Sequence, residues 1–123
     1  MSSKKILLVD DSSTMLMMEQ MVLSSGGYQL ITAKDGEAAV QAALTHTPDL
    51  ILLDVVMPKM DGFEVCRRLR ENDLTRETPI IMVTTRGEES HVERGFQSGC
   101  NDYVIKPINP MELLSKIKNL LGD

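Results

Sequence analysis

The run Leu50-Ile51-Leu52-Leu53-Asp54-Val55-Val56-Met57-Pro58 constrains this chain more than any other stretch. Four consecutive aliphatic residues lead into a carboxylate, and a proline then breaks the run. A short continuous apolar segment fits a strand buried on both faces, as in a parallel sheet covered by helices. A buried helix is the competing reading. Pro48 before the run and Pro58-Lys59-Met60-Asp61-Gly62 after it leave too little room for one. Asp54 then emerges where the strand ends, the edge at which open α/β sheets hold their ligands. It is the candidate reactive centre.

At 123 residues the chain has the length of one ordinary domain. A domain of this size buries roughly two-thirds of its unfolded surface, so it needs no staples to fold. The formal charge of −5 argues against a nucleic-acid-binding surface, which is usually basic. Cys66 and Cys100 have no CxxC partner and read as buried thiols in a reducing compartment. Lys4 and Lys5 precede only the short run Ile6 to Val9, so no signal peptide is expected. No stretch approaches the ~20 apolar residues of a membrane span. The expected location is cytoplasmic, with no membrane insertion and no direct nucleic-acid contact.

Strand and helix signals alternate along the whole chain. Ile6-Leu7-Leu8-Val9 is a second aliphatic run ending in acid, at Asp10-Asp11. Ser12 or Ser13 can cap a helix with apolar Met15, Leu16, Met18, Val22 and Leu23 at helical spacing, stopped by Gly26-Gly27. Tyr28 to Ala33 reads as a short strand. A helix from about Gly36 follows, with Ala38, Ala39, Ala42 and Ala43 letting it approach the sheet. Phe63, Val65, Cys66 and Leu69 mark a third helix, and Ile80 to Val83 a strand ending at Thr84-Thr85. The segment from Glu88 to Ser98 is a weaker helix, because Gly95 costs it about 1 kcal/mol relative to alanine. Asn101 to Ile105 is the last strand, ending at Lys106-Pro107. Pro110 then suits the first turn of a closing helix with Met111, Leu113, Leu114, Ile117, Leu120 and Leu121. Five such alternations imply an α/β fold, a parallel sheet with helices on both faces.

If the strands are parallel, one edge collects Asp10, Asp11, Asp54, Thr84 and Lys106. Three carboxylates close together repel strongly unless a cation sits among them. Only oxygen donors are offered, which favours Mg²⁺ or Mn²⁺ over zinc. An added lysine and hydroxyl suit a phosphoryl group, the first by charge and the second by hydrogen bonding. An aspartate in that setting can attack phosphorus and form an acyl phosphate. Singly, each residue has an ordinary structural reading: Asp10-Asp11 as caps, Lys106 as a solvated charge, Thr84 as a β-branched strand residue. The joint placement on one edge is what argues for a site.

The sequence resembles the receiver domain of bacterial two-component response regulators. The matching pieces are Ile6 to Asp11, Leu52 to Pro58, Met60-Asp61-Gly62, Val83-Thr84 and Tyr103 to Pro107, in the family's order and spacing. The resemblance covers essentially residues 1–123 and is similar to the free-standing, chemotaxis type. It implies a flavodoxin-like (βα)5 fold with strand order 2-1-3-4-5. It implies Asp54 as phosphoacceptor, Asp10 and Asp11 as metal-binding acids, and the Val56 carbonyl as a further ligand to Mg²⁺. Lys106 resembles the phosphoryl-contacting lysine, followed by a cis Pro107. Thr84 resembles the switch hydroxyl, and Tyr103 the aromatic that moves inward with it. The implied partner is a sensor histidine kinase or phosphotransfer protein whose phosphohistidine feeds Asp54. The resemblance also implies slow self-catalysed hydrolysis that resets the domain, with no separate substrate turned over. A downstream protein target is implied, on the surface from the fourth helix to the fifth strand and helix.

Phosphorylation would add about −1.5 to −2 charge where Asp54 had −1. That gives Thr84 a reason to turn inward and leaves room for Tyr103. The segment around Gly95 is where such a shift should show, unless that glycine only serves close packing. Three places depart from the family pattern: Thr85 stands where a smaller residue is usual, and Val56 and Arg86 stand where water access is tuned. His46 and His91 read as surface residues, and most of the nine methionines as core filling, with Met17 and Met21 able to face out. Arg67-Arg68 and Glu88-Glu89 read as solvated helix charges. A phosphatase of the haloacid-dehalogenase type would need an acid two residues after its nucleophile, where Val56 stands. A flavodoxin would need a phosphate-binding loop where this chain has two acids. A pure interaction module would not need all five site residues.

Overall fold

The computed structural model of the chain describes residues 3–85 and 89–122. Strand β1 spans Lys5–Val9, β2 Gln29–Ala33, β3 Leu50–Asp54, β4 Ile80–Thr85 and β5 Asp102–Lys106. The helices are α1 Ser13–Leu23, α2 Gly36–His46, α3 Gly62–Arg70, α4 Glu89–Ser98 and α5 Pro110–Leu121. All four strand pairings are parallel, and the sheet runs in the order β2-β1-β3-β4-β5. The α/β expectation holds, and so does the strand order.

Strand β3 lies at the centre because it is apolar on both faces. Leu50, Ile51, Leu52 and Leu53 are fully buried, each contributing about 1.5–3 kcal/mol of transfer free energy. Ile51 and Leu53 join the core under α2, α3 and α4, with Phe63, Val65, Cys66, Leu69 and Met82. Leu50 and Leu52 join the core on the opposite face, with Leu16, Leu23, Leu113 and Ile117 of α1 and α5. The alternation of β3 side chains divides them between two cores.

Helix starts follow local chemistry. Ser12 Oγ accepts from the Met15 amide, Asp35 from Ala38, Asp61 from Glu64 and Asn109 from Glu112; each oxygen satisfies an amide the helix leaves free. Gly27, at φ 73°, ends the turn after α1 in the left-handed region. The Lys106–Pro107 peptide is cis. The arginine of Arg70, at the end of α3, donates to the carbonyls of Thr75, Thr78 and Gly99 and to Asn101 Oδ1, fixing the approaches to β4 and β5.

Several sequence expectations need correction. Met18 and Met111 face solvent, Ala38 is exposed, and Met15 is only half-buried. In α1 the buried stripe is Leu16, Glu19 and Leu23, so an acid occupies a core position. The last strand runs one residue later than expected, ending on Lys106. His91 is half-buried rather than on a polar surface, edge-on to Phe63 with ring centres 5.6 Å apart. Gly95 is buried, and a Cβ there would lie 3.0 Å from Met82 Sδ and 3.2 Å from Cys100 Sγ, which is the close-packing role. Both cysteines are free, buried thiols, His46 is exposed, and Met17 and Met21 do face out. Arg67 and Arg68 pair with Glu64 at the surface. Arg86, Glu88 and the closing Asp123 lie outside the described residues.

Candidate phosphoryl and metal site

The strand order reverses direction between β1 and β3, and ligand crevices of open α/β sheets form at that switch, outside the strands' carboxyl ends. Asp10 follows β1 directly, and Asp54 is the last residue of β3. Their position is a product of register: Val9 pairs with Leu53, so the residues after them emerge side by side. Val83 pairs with Asp54 and Thr85 with Lys106, which brings Thr84 and Lys106 to the same edge. The register therefore puts Asp10, Asp54, Thr84 and Lys106 at one edge of the sheet, with Asp11 next to Asp10.

One carboxylate oxygen each from Asp10, Asp11 and Asp54 fits within a 4.8 Å cluster. At that separation two full charges repel by roughly 3.5 kcal/mol at an effective dielectric of about 20. Asp10 and Asp54 are buried, and Asp11 is exposed. Burial pushes the Asp54 carboxyl up to about 6, helped by the nearby charge of Asp10 and opposed by Lys106. Burial likewise raises Asp10, against the Ser12 amide and Lys106, which favour its charged form.

Lys106 is the counter-charge. Its Nζ lies 3.3 Å from Asp54 Oδ1 and 3.9 Å from Asp10 Oδ2. The Ser12 amide donates to Asp10 Oδ1 at 2.9 Å, but Asp10 Oδ2 has no hydrogen-bond partner among the described residues. Thr84 Oγ1 is buried and equally unpartnered. Thr85 is exposed at the end of β4, and Val56 is 61% exposed at the rim. An all-oxygen donor set, one buried oxygen awaiting a partner and excess negative charge together fit a hard divalent cation.

Tyr103 is half-buried on β5. Its ring meets Phe96 edge-on, with centres 6.1 Å apart, and the Lys116 ammonium lies 4.8 Å from its centre. Lys116 also bonds Asp102 Oδ1 at 3.2 Å. Sequence reasoning passed over Lys116, whose contacts are made only by the fold. It also passed over Glu19, which is buried behind the site and electrostatically linked to Asp10, Asp54 and Lys106. Its signal was present: an acid midway between Leu16 and Leu23 on one helical stripe.

A family model for the response regulator receiver domain matches residues 6–118. The alkaline phosphatase synthesis transcriptional regulatory protein PhoP of Bacillus subtilis is 44% identical over 119 residues, 97% of this chain and 49% of that protein. The chain thus spans about half the length of that relative. Among solved structures, chemotaxis protein CheY4 of Vibrio cholerae superposes with a TM-score of 0.90 at 34% identity, over 97% of this chain and 99% of that one. The receiver domain of sensor histidine kinase PA1611 from Pseudomonas aeruginosa PAO1 does so with a TM-score of 0.91 at 32% identity, over 99% of this chain and 100% of that one. That structure has a magnesium ion coordinated in its active site cleft. No helix among the described residues is long and apolar enough to cross a membrane. On this evidence the chain belongs to the response regulator receiver domain family of two-component systems, domains that histidine kinases phosphorylate and whose acidic pocket binds Mg²⁺.

Proposed function

We propose that Asp54 accepts a phosphoryl group from a phosphohistidine on a sensor histidine kinase or phosphotransfer protein, and that residues 1–123 report it through a change of shape. An Asp54 carboxylate oxygen attacks phosphorus as the P–N bond to the histidine ring breaks. The ring nitrogen keeps the electron pair and takes a proton from solvent. The product is an acyl phosphate, which water later hydrolyses to restore Asp54.

The observation that carries this reading is the Lys106–Asp54 contact of 3.3 Å beside two further carboxylates. Lys106 orients the acceptor before transfer and meets the phosphoryl oxygens afterwards. Asp10, Asp11, Asp54 and the Val56 carbonyl would hold Mg²⁺, or Mn²⁺ with the same ligand preference. Bound there, the ion neutralises charge on the carboxylates and on the phosphoryl oxygens. Thr84 gains from turning toward a phosphoryl oxygen, because its buried hydroxyl has no hydrogen-bond partner among the described residues. Tyr103 then follows into the vacated space. Exposed Phe96, Ile105 and Met111 give the α4–β5–α5 side an apolar surface for the downstream protein.

Incubation with acetyl phosphate and MgCl₂, followed by intact-mass measurement, tests this directly. The wild-type chain should gain one phosphoryl group and Asp54→Asn none. A wild-type chain that stays unmodified overturns the reading.

A further inference from the structure

Glu19 is the least expected side chain in the molecule. It is 1% exposed, and Oε1 has no hydrogen-bond partner among the described residues. It occupies the core stripe of α1 and lines a small cavity of about 40 Å³ with Met18, Val22, Ile108, Pro110 and Leu113. Every other side chain lining that cavity is apolar, so the cavity itself offers no counter-charge. An isolated carboxylate in such surroundings is costly, and the group retains a proton instead.

Among the described residues, the charged groups that act on it belong to the acidic pocket. They are Asp10 after β1, Asp54 at the end of β3 and Lys106 at the end of β5. The α5 neighbours Pro110 and Leu113, like Met18 and Val22 on α1, carry no charge. Burial is the main reason that Glu19 is pushed up to about 8, and Asp10 and Asp54 add to it. Glu19 is not one of the three acids gathered within 4.8 Å, so it senses the pocket through space without serving it as a ligand.

We propose that Glu19 is a proton-binding site coupled to the acidic pocket, holding its proton when the pocket is rich in negative charge and releasing it when a cation enters. The proposal rests on the cation-binding reading above only for its second half. Linkage makes the coupling reciprocal: whatever factor a bound cation takes from the proton's affinity, loss of the proton returns to the cation's affinity. The pocket's occupancy is thereby felt on the α1–α5 side of the sheet, where an ionised carboxyl would disturb apolar packing.

The test follows the Glu19 carboxyl carbon by NMR in the intact chain across a pH series. Three samples are compared: wild type without metal, Asp54→Asn without metal, and wild type with saturating MgCl₂. Glu19 should keep its proton through neutral pH in metal-free wild type. Removing the Asp54 charge, or adding Mg²⁺, should each weaken proton binding severalfold. As an independent readout, calorimetric titration with MgCl₂ near pH 8 should release more protons from wild type than from Glu19→Gln. Titration of Glu19 in the ordinary glutamate range overturns the proposal. So does a midpoint that neither Asp54→Asn nor Mg²⁺ moves. If Asp54→Asn moves it while Mg²⁺ disturbs neither Glu19 nor the Asp10, Asp11 and Asp54 signals, the coupling stands and the metal-site reading fails.

Discussion

The Lys116 ammonium lies 4.8 Å from the centre of the Tyr103 ring and also bonds the carbonyl oxygen of that residue. One α5 side chain therefore holds both the backbone and the ring of the proposed switch aromatic. Lys116→Met should free the ring while leaving the fold intact, at a stability cost of about 1–2 kcal/mol for the lost cation–π contact and carbonyl hydrogen bond. Lys116→Arg keeps a cation over the ring and should resemble wild type. Urea unfolding and ¹³C signals of the Tyr103 ring check this. Indistinguishable ring signals for wild type and Lys116→Met would count against a holding role.

Lys106 offsets the repulsion between Asp10 and Asp54. Replacing it with alanine should raise the Asp54 carboxyl further above about 6, since Lys106 is the main influence pulling it down. The rate of phosphoryl uptake from acetyl phosphate should fall by about 10²–10³-fold, the usual loss on removing one charge-stabilising donor. Time-resolved intact mass measures it, and a loss under threefold would deny Lys106 that part.

Val56 presents an exposed apolar side chain at the rim, where a polar residue could hold a water. Val56→Asn should shorten the lifetime of the phosphorylated chain severalfold. An unchanged or longer lifetime, measured by decay of the phosphorylated mass after acetyl phosphate is removed, would sink this expectation.

Glu19 also sets a pH dependence of stability. Its carboxyl stands at about 8 in the folded chain against 4.5 for an ordinary glutamate. Between those values the folded chain binds more protons than the unfolded one. Stability contributed by the protonated acid is thus full below the lower value and is lost as pH rises through the upper one. Glu19→Leu should flatten that slope and stabilise the chain at pH 9 by about 1–3 kcal/mol, the cost of an unpaired buried polar group. Urea midpoints at several pH values check it, and a variant less stable than wild type at pH 9 would refute it.

Magnesium should stabilise the fold as well as assist chemistry. At a hundred times its dissociation constant it should add about 2.7 kcal/mol, and EDTA should remove that gain. Asp10→Asn should lose most of the effect while being no less stable than wild type without metal, because one repelling charge is gone. Thermal melts with and without MgCl₂ measure both.

The strands and the site edge were legible because their signals are local. An aliphatic run followed by an acid states both where a strand lies and where it ends, and parallel pairing then brings Asp10, Asp54, Thr84 and Lys106 together. Helix faces were less legible. In α1, where Met15, Met18 and Val22 offer apolar bulk on several sides, hydrophobicity alone did not choose the buried stripe. Glu19 was missed because reading a stripe by its apolar members discards the acid among them. His91 was misplaced and Lys116 missed for a different reason: each is defined by a ring contributed from another element, Phe63 or Tyr103, and no spacing within a helix encodes that.

Gly62 opens α3 directly against the acceptor strand. A Cβ there would lie 2.5 Å from the Asp54 carbonyl oxygen and 2.9 Å from Val55 Cα, and the Gly62 amide donates to the Val55 carbonyl at 2.8 Å. The acceptor backbone and the start of α3 are therefore packed against each other, and any side chain at position 62 would force the helix off the strand. The missing side chain thus sets how near the third helix can come to the residue that carries the acceptor carboxylate.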